Sequence, residues 1–369
     1  MTSGQIEIIV IAALTASACA LVGVFLVLRG MSLVSDAITH SVLLGIVLAF
    51  FVTQSTTSPL LLVAAALAGV ATVALVELVV GTRLVKEDAA IGLVFPVLFS
   101  IGVILVSRYA GGVHLDIDAV LLGELALAPF DRVEVAGLDL GPAALVTMAV
   151  VLVIDAVVVL VLWKELKLTA FDSALALSLG FAPAAVTYGL MTLVSLTAVG
   201  AFNAVGSILV VALMIAPPAA AYLLSDTLWR VTALAVGIGA ACAVAGYWAA
   251  YLLDASIAGC IAGACGVAFT LAWSFAPGRG LVAGARRRAR QRVDFAHAML
   301  AVHLANHEGK PEAEVESRVD HLGGHLRWET ARVRRIVASA ERRGLVVEQA
   351  GILGLTERGR SLAQETLTF

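Results

Sequence analysis

The chain has 369 residues, 60% of them hydrophobic and 14% charged, with a mean hydropathy of +0.99 and a formal net charge of −3. This composition excludes an ordinary soluble domain and places the protein in the polytopic membrane class. Charge is divided unevenly: residues 1–276 carry formally −8 and residues 277–369 carry +5, so an apolar body precedes a basic tail.

Windows of about 20 apolar residues, the length that crosses a bilayer, fall at 6–28, 32–53, 59–81, 89–107, 142–163, 183–200, 203–224, 228–251 and 255–276; the two flanking Asn203 are the weakest. The expected fold class is an all-α polytopic membrane protein of about eight to nine transmembrane helices, with a small C-terminal α/β domain. Residues 1–28 contain no Lys or Arg, so the first segment is expected to stay as a span and not to be cleaved as a signal peptide. Arg29, Arg83, Lys86, Lys164, Lys167 and Arg230 fall on one side of the predicted membrane, and only Arg108 and Arg132 on the other. The excess of basic residues marks the cytoplasmic side, which puts the N-terminus outside and the tail in the cytoplasm. Trp163, Trp229, Trp248 and Trp273 sit at predicted span ends, as an interfacial aromatic belt requires. Cys19, Cys242, Cys260 and Cys265 lie in apolar segments without CxxC spacing and read as small buried hydrophobes.

The second segment contains the residues that need a special explanation. Asp36 and His40 stand at i and i+4 in an otherwise apolar run, on one helical face and about 6 Å apart along the axis. Ionisable groups at membrane depth are costly, which makes them functional candidates by default. A carboxylate and an imidazole on one face can ligate a divalent cation and suit Zn, Mn or Fe(II) better than Ca or Mg. Two copies of the helix across a dimer axis would supply four ligands. A structural Asp–His hydrogen bond between helices is the alternative from spacing alone.

The outer connection, residues 107–142, holds a short apolar piece "AVLLGELAL" that reads as a re-entrant or surface helix, and His114, Asp116, Asp118 and Glu124 there form a candidate external cation funnel. The inner connection, residues 164–183, reads as a short amphipathic helix with Asp172 as its N-cap. Glu77, near the cytoplasmic end of its span, is expected to snorkel, and Asp155, deeper, reads as a proton or cation relay or as an interhelical hydrogen bond.

Beyond Pro277 the character changes. The expected domains are a transmembrane body over 1–278, a basic linker over 279–292 containing Arg286, Arg287, Arg288, Arg290 and Arg292, and a small domain over 293–369. Helices near 293–307, 312–322 and 328–343, two short strands around Ala350–Gly351 and a closing helix describe a winged helix. Val333, Ile336, Val337 and Ala340 have the spacing of its third helix's buried face, and Arg332, Arg334, Arg335, Arg342 and Arg343 make that helix basic. His303 with His307, and His321 with His325, are each at i, i+4 and are candidates for metal sensing within the tail.

The segment "RGMSLVSDAITHSVLLG" resembles the signature of the metal-ion permease subunits of bacterial ABC transporters, the ABC-3 group that imports manganese, zinc and iron. "AFNAVGSILVVALMIAPPAAAYLL", "VLLGELAL" and "ELKLTAFDSALALSLGF" are similar to further stretches of that family, so the resemblance covers nearly all of residues 1–280. It implies a permease in the bacterial inner membrane, paired with a second permease subunit as homo- or heterodimer, driven by a cytoplasmic ABC ATPase dimer and fed by an extracytoplasmic metal-binding lipoprotein. Asp36 and His40 match the family's metal ligands. Asp172, Ser173, Ala176 and Gly180 fall in the element that docks into the ATPase. The metal is cargo, with no permanently bound cofactor, and the chain itself is expected not to be an enzyme; no GxxxxGK[ST] occurs in it to cradle a nucleotide. The tail resembles the DNA-binding half of iron- or manganese-dependent repressors, but its tether to the membrane points to regulation or subunit docking, and nucleic acid is not an expected partner. Two other classes stay open at this level: an ion-coupled secondary transporter using Asp36, His40 and Asp155, and a membrane-anchored metal-responsive regulator.

Overall fold

A computed structural model of the chain describes residues 2–54, 59–109, 125–135 and 138–367. They divide into two compact units, Met1–Gly280 and Leu281–Phe369.

In the first unit the elements run α1 (Ser3–Leu28), α2 (Ser32–Thr53), α3 (Pro59–Gly81), α4 (Glu87–Tyr109), the antiparallel hairpin β1 (Arg132–Val135) and β2 (Leu138–Pro142), α5 (Ala143–Val161), the short α6 (Trp163–Phe171) and α7 (Ser173–Ser178), then α8 (Pro183–Val205), α9 (Ser207–Leu224), α10 (Leu228–Leu253) and α11 (Ile257–Phe275). Nine of these, all but α6 and α7, are long and apolar enough to cross a membrane, and each overlaps one expected window. Helix is the form such runs must take, because hydrocarbon offers no partner for an unpaired backbone N–H or C=O. A capping box closes the start of α1, where the Thr2 hydroxyl accepts from the Gln5 N–H and the Gln5 side chain accepts from the Thr2 N–H.

One boundary differs from expectation. The break expected just before Asn203 occurs at Gly206, whose φ of 78° ends α8 and begins α9. α8 continues through residues 201–205 and ends at Gly206, which has no Cβ to oppose positive φ.

Within this unit α1 packs against α9 and α10, α2 against α3 and α4, and α8 touches members of both groups. Ile11, Phe25, Leu26, Ile38, Leu209, Leu213 and Met214 are among its fully buried side chains. Large apolar residues also face outward, such as Leu93, Val97, Ile101 and Ile104 on α4. That outer surface suits hydrocarbon, where an exposed aliphatic chain costs nothing.

Two intramembrane acids, Asp155 and Glu77, are paired across helices. Asp155 on α5 is fully buried and accepts a 2.8 Å hydrogen bond from the Thr197 hydroxyl on α8, which favours the interhelical reading over a relay. The Tyr188 hydroxyl on α8 donates to Glu77 on α3, so Glu77 is held by a partner and does not merely snorkel. In the outer connection, Arg132 donates to Asp139 across the hairpin at 2.8 Å and to Glu7 of α1 at 3.4 Å. The Gly141 N–H, and then Arg132, hold the Asp139 carboxyl below its usual pKa. The surface helix expected around "AVLLGELAL" lies mostly outside the described residues, and its described end is a turn.

The second unit contains α12 (Leu281–His307), α13 (Ala313–Glu316), α14 (Val319–His325), α15 (Thr330–Arg342), the antiparallel hairpin β3 (Val346–Gln349) and β4 (Ile352–Leu355), and α16 (Glu357–Leu367). It is mainly helical, with one small sheet. The stretch 281–292, expected as a linker, is the first half of the continuous helix α12: Ala and Arg are strong helix formers and supply no break. The single helix expected at 312–322 is divided into α13 and α14. Val333, Ile336, Val337 and Ala340 are buried together with Leu300, Leu304, Leu322, Val346 and Leu353. The hairpin turns at Ala350 and Gly351, both with positive φ, as a two-residue primed turn requires.

Thr197→Val keeps the volume at that position but removes the only hydroxyl on Asp155, whose second oxygen is already without a hydrogen-bond partner among the described residues. The expected cost is about 1–3 kcal/mol, read as a lower thermal midpoint in detergent. An unchanged midpoint would mean that the α5–α8 bond contributes nothing.

Candidate functional site

α2 has a buried side and an open side. Val34, Ser35, Ala37, Ile38, Thr39, Ser41 and Val42 are buried, whereas Leu33 and Leu48 are about half exposed. Asp36 and His40 lie on the open stripe between those two leucines, with side-chain exposures of 40% and 27%. Ser41, on the inner side, accepts a 2.7 Å hydrogen bond from Thr72 of α3, which fixes the rotation of α2.

The His40 Nε2 atom is 3.3 Å from Asp36 Oδ1. Two ligand atoms at about 2.1 Å from a tetrahedral metal lie about 3.4 Å apart, so the pair has the spacing to hold one ion between them. Two aromatic rings of α4 orient the imidazole: Phe95 stacks on it with centroids 5.9 Å apart, and Phe99 meets it edge-on at 5.8 Å. This aromatic wall is legible in "FPVLF" as an i, i+4 pair, but only with knowledge that α4 lies beside α2. Asp36 and His40 both belong to α2, and their recorded contact with each other lies within that helix.

The inner connection is two helices. Asp172 caps α7 as expected, its side chain accepting from the Leu175 N–H at 2.9 Å. The C-terminal end closes with the Gly180 N–H donating to the Leu177 carbonyl and the Phe181 N–H to the Ala176 carbonyl, a double bond pattern that needs the left-handed conformation Gly180 adopts at φ 86°. Ala176 is buried, Asp172, Ser173 and Gly180 are exposed, and Phe171, Leu175, Leu177 and Leu179 form an exposed apolar cluster around them. The Arg29 guanidinium, at the end of α1, donates to Thr169 of α6 at 2.5 Å and to Thr187 of α8 at 2.7 Å, tying the connection to the spans.

The candidate funnel residues His114, Asp116, Asp118 and Glu124 lie outside the described residues. In the tail, His303 and His307 of α12 have ring centroids 4.9 Å apart, and Glu316 of α13 joins them: one ligand atom from each of the three falls within 4.8 Å of the others. Burial holds the His303 imidazole below its usual pKa, which favours the neutral form that binds metals. The pairing expected of His321 with His325 is not what the fold uses. His321 is exposed, while His325 turns toward the His303 ring, 5.8 Å between centroids. Glu316 comes from a separate element and no sequence spacing announces it, while the i, i+4 spacing that singles out His325 points to a different partner. The cysteines are free; Cys19, Cys242 and Cys265 are buried as expected, and Cys260 is half-buried.

The family model for the ABC 3 transport family matches residues 5–276. The chain is 48% identical over 361 residues to the zinc transport system membrane protein TroD of Treponema pallidum (strain Nichols), an alignment that covers 98% of both chains and therefore takes in the tail. It is 46% identical over 275 residues to the manganese transport system membrane protein MntD of Bacillus subtilis (strain 168), covering 74% of this chain and 93% of that one. Among solved structures, PsaBC from Streptococcus pneumoniae in complex with Fab superposes with a TM-score of 0.64 at 26% identity, across 76% of this chain and 94% of that chain. Because the family model spans nearly the whole apolar unit and a relative aligns over both units, this multi-pass membrane protein belongs to the ABC 3 transport family, as a transport subunit and not an enzyme.

Proposed function

We propose that this chain is the permease subunit of an ATP-driven importer of a divalent transition-metal ion across the bacterial inner membrane, and that Asp36 and His40 ligate the ion in transit at the interface with a second permease subunit. The observation that carries this reading is the open stripe of α2: an acid and an imidazole at metal-ligand spacing stand at membrane depth on a face that no other element among the described residues covers completely. Facing hydrocarbon, such a pair costs several kcal/mol. Facing its own copy across a two-fold axis, it becomes a four-ligand site. The names of the relatives divide between zinc and manganese, and carboxylate with imidazole accepts both, as well as Fe(II). The match to an ABC transport family weighs against an ion-coupled transporter or a non-transporting regulator.

On this reading the ATPase dimer docks on α7, whose capped ends and exposed leucines offer a stiff apolar knob, and an extracytoplasmic lipoprotein delivers the metal. The tail is cytoplasmic and winged-helix-like. Support for the latter is the order of four helices, α12 to α15, a hairpin and a final helix, together with the Arg318–Ile352 bridge that brings a third segment to the hairpin edge. The exposed Arg332, Arg334 and Arg335 of α15 give it a basic face, used for regulation or subunit docking and not for reading an operator.

Uptake of radiolabelled zinc and manganese into liposomes, with the cognate ATPase and binding protein, tests the transit site. Asp36→Ala and His40→Ala should each lower ATP-dependent uptake at least about 10-fold, the least that losing even an outer-shell metal partner costs, while assembly is retained. Normal uptake by both variants would reduce the pair to a structural contact. Leu177→Glu, at an exposed position, should leave the thermal midpoint within the small range of surface substitutions but abolish co-purification of the ATPase. Retention of the ATPase would exclude α7 as the docking element.

A further inference from the structure

Four metal-ligating side chains converge in the second unit from three separate elements. His303 and His307 stand one helical turn apart on α12, Glu316 ends α13 and His325 ends α14. The His303 ring lies 4.9 Å from that of His307 and 5.8 Å from that of His325. Glu316 Oε2 is 3.1 Å from His325 Nε2 but lacks hydrogen-bond geometry, and both this oxygen and His307 Nδ1 are buried atoms without a hydrogen-bond partner among the described residues. Buried polar atoms are normally satisfied, and two unsatisfied ones within a single cluster of histidines and a carboxylate call for a missing partner that accepts lone pairs. A cation does so. Ligands about 3.4 Å apart surround a tetrahedral metal at about 2.1 Å, so the ligand atoms of His303, His307 and Glu316, already within 4.8 Å of one another, need only small side-chain rotations to close on an ion, and His325 stands beside Glu316 to join them.

We propose that the tail binds one divalent transition-metal ion through His303, His307, His325 and Glu316. Three imidazoles and one carboxylate select a borderline-soft ion, with Zn2+ the best fit to a four-ligand tetrahedron and Ca2+ or Mg2+ excluded by their demand for oxygen. The bound ion clips α13 and α14 onto α12 and so orders the segment that leads into α15. This site is separate from Asp36 and His40, and it stands whether or not those residues carry the transported ion.

The test uses the full-length chain in nanodiscs, dialysed to equilibrium against buffered submicromolar Zn2+, with bound zinc counted by elemental analysis. To remove any contribution from the body, the reference is the Asp36→Ala, His40→Ala variant. It should retain one Zn2+ per chain, and adding His303→Ala with His307→Ala should remove it. His321→Ala, at the exposed histidine outside the cluster, should leave the count at one. Glu316→Gln, which preserves shape, should weaken zinc binding at least about 10-fold while leaving the zinc-free thermal midpoint unchanged, so that lost binding is not confused with lost folding. The proposal is overturned if the reference variant binds no zinc, or if its zinc survives removal of His303 and His307.

Discussion

A polar side chain at membrane depth must find its partner inside the protein, and the first unit is organised by that constraint. Asp155 takes the Thr197 hydroxyl, Glu77 the Tyr188 hydroxyl, and Ser41 the Thr72 hydroxyl. Each of these bonds joins two different helices, and together they tie α5 to α8, α3 to α8 and α2 to α3. Asp36 and His40 differ from these three, because their recorded polar contact is with each other on the same helix. The His40 ring packs against Phe95 and Phe99 of α4, which orient it without consuming its nitrogens, and the pair remains partly open, as the proposed transit site requires.

The same economy appears where α1 ends. Arg29 reaches Thr169 and Thr187, so its charge is spread over two hydroxyls, on α6 and α8. Phe25 of α1 packs edge-on against Trp163, the first residue of α6, and Trp163 in turn against Trp229 of α10. α6 is therefore anchored at both ends, and α7 follows it directly through the Asp172 cap. Three residues after Arg29 the chain enters the helix of Asp36, so the proposed docking element and the proposed transit pair are joined by one arginine and one turn of backbone. A displacement at α7 has a short mechanical route to α2, through groups that are hydrogen-bonded or tightly packed throughout.

Much of this architecture is legible in the sequence because membrane helices obey a length and hydropathy rule that needs no tertiary information. Nine windows became nine helices, and Asp172 was readable as a cap because Asp before a helical run satisfies orphan N–H groups wherever it occurs. What stayed hidden depends on neighbours in space. The hydroxyl partners of Asp155 and Glu77 are 42 and 111 residues away, and the β1–β2 hairpin is held by Arg132 and Asp139 in a stretch with no strong strand pattern. The break lies at Gly206, where positive φ is tolerated, and not at Asn203, which the helix absorbs. In the tail, i, i+4 spacing singled out both His303 with His307 and His321 with His325, and of the second pair it is His325 whose ring lies beside that of His303.

The two clusters of metal-binding residue types argue for ligands in different ways. In the first unit the medium supplies the argument, since hydrocarbon makes an open acid and imidazole expensive unless a partner covers them. In the tail, water would solvate each of the four side chains separately, and bringing three histidines together gains nothing by itself: the protonated forms repel. Half-buried imidazoles and a carboxylate with unsatisfied atoms are therefore a net cost in the empty arrangement, offset only by the packing of Leu300, Leu304 and Leu322 beneath them. An ion converts that repulsion and those unmet lone pairs into bonds. The convergence of α12, α13 and α14 is thus most economical when the ion is present, which makes the order of those helices dependent on metal in the compartment the tail occupies.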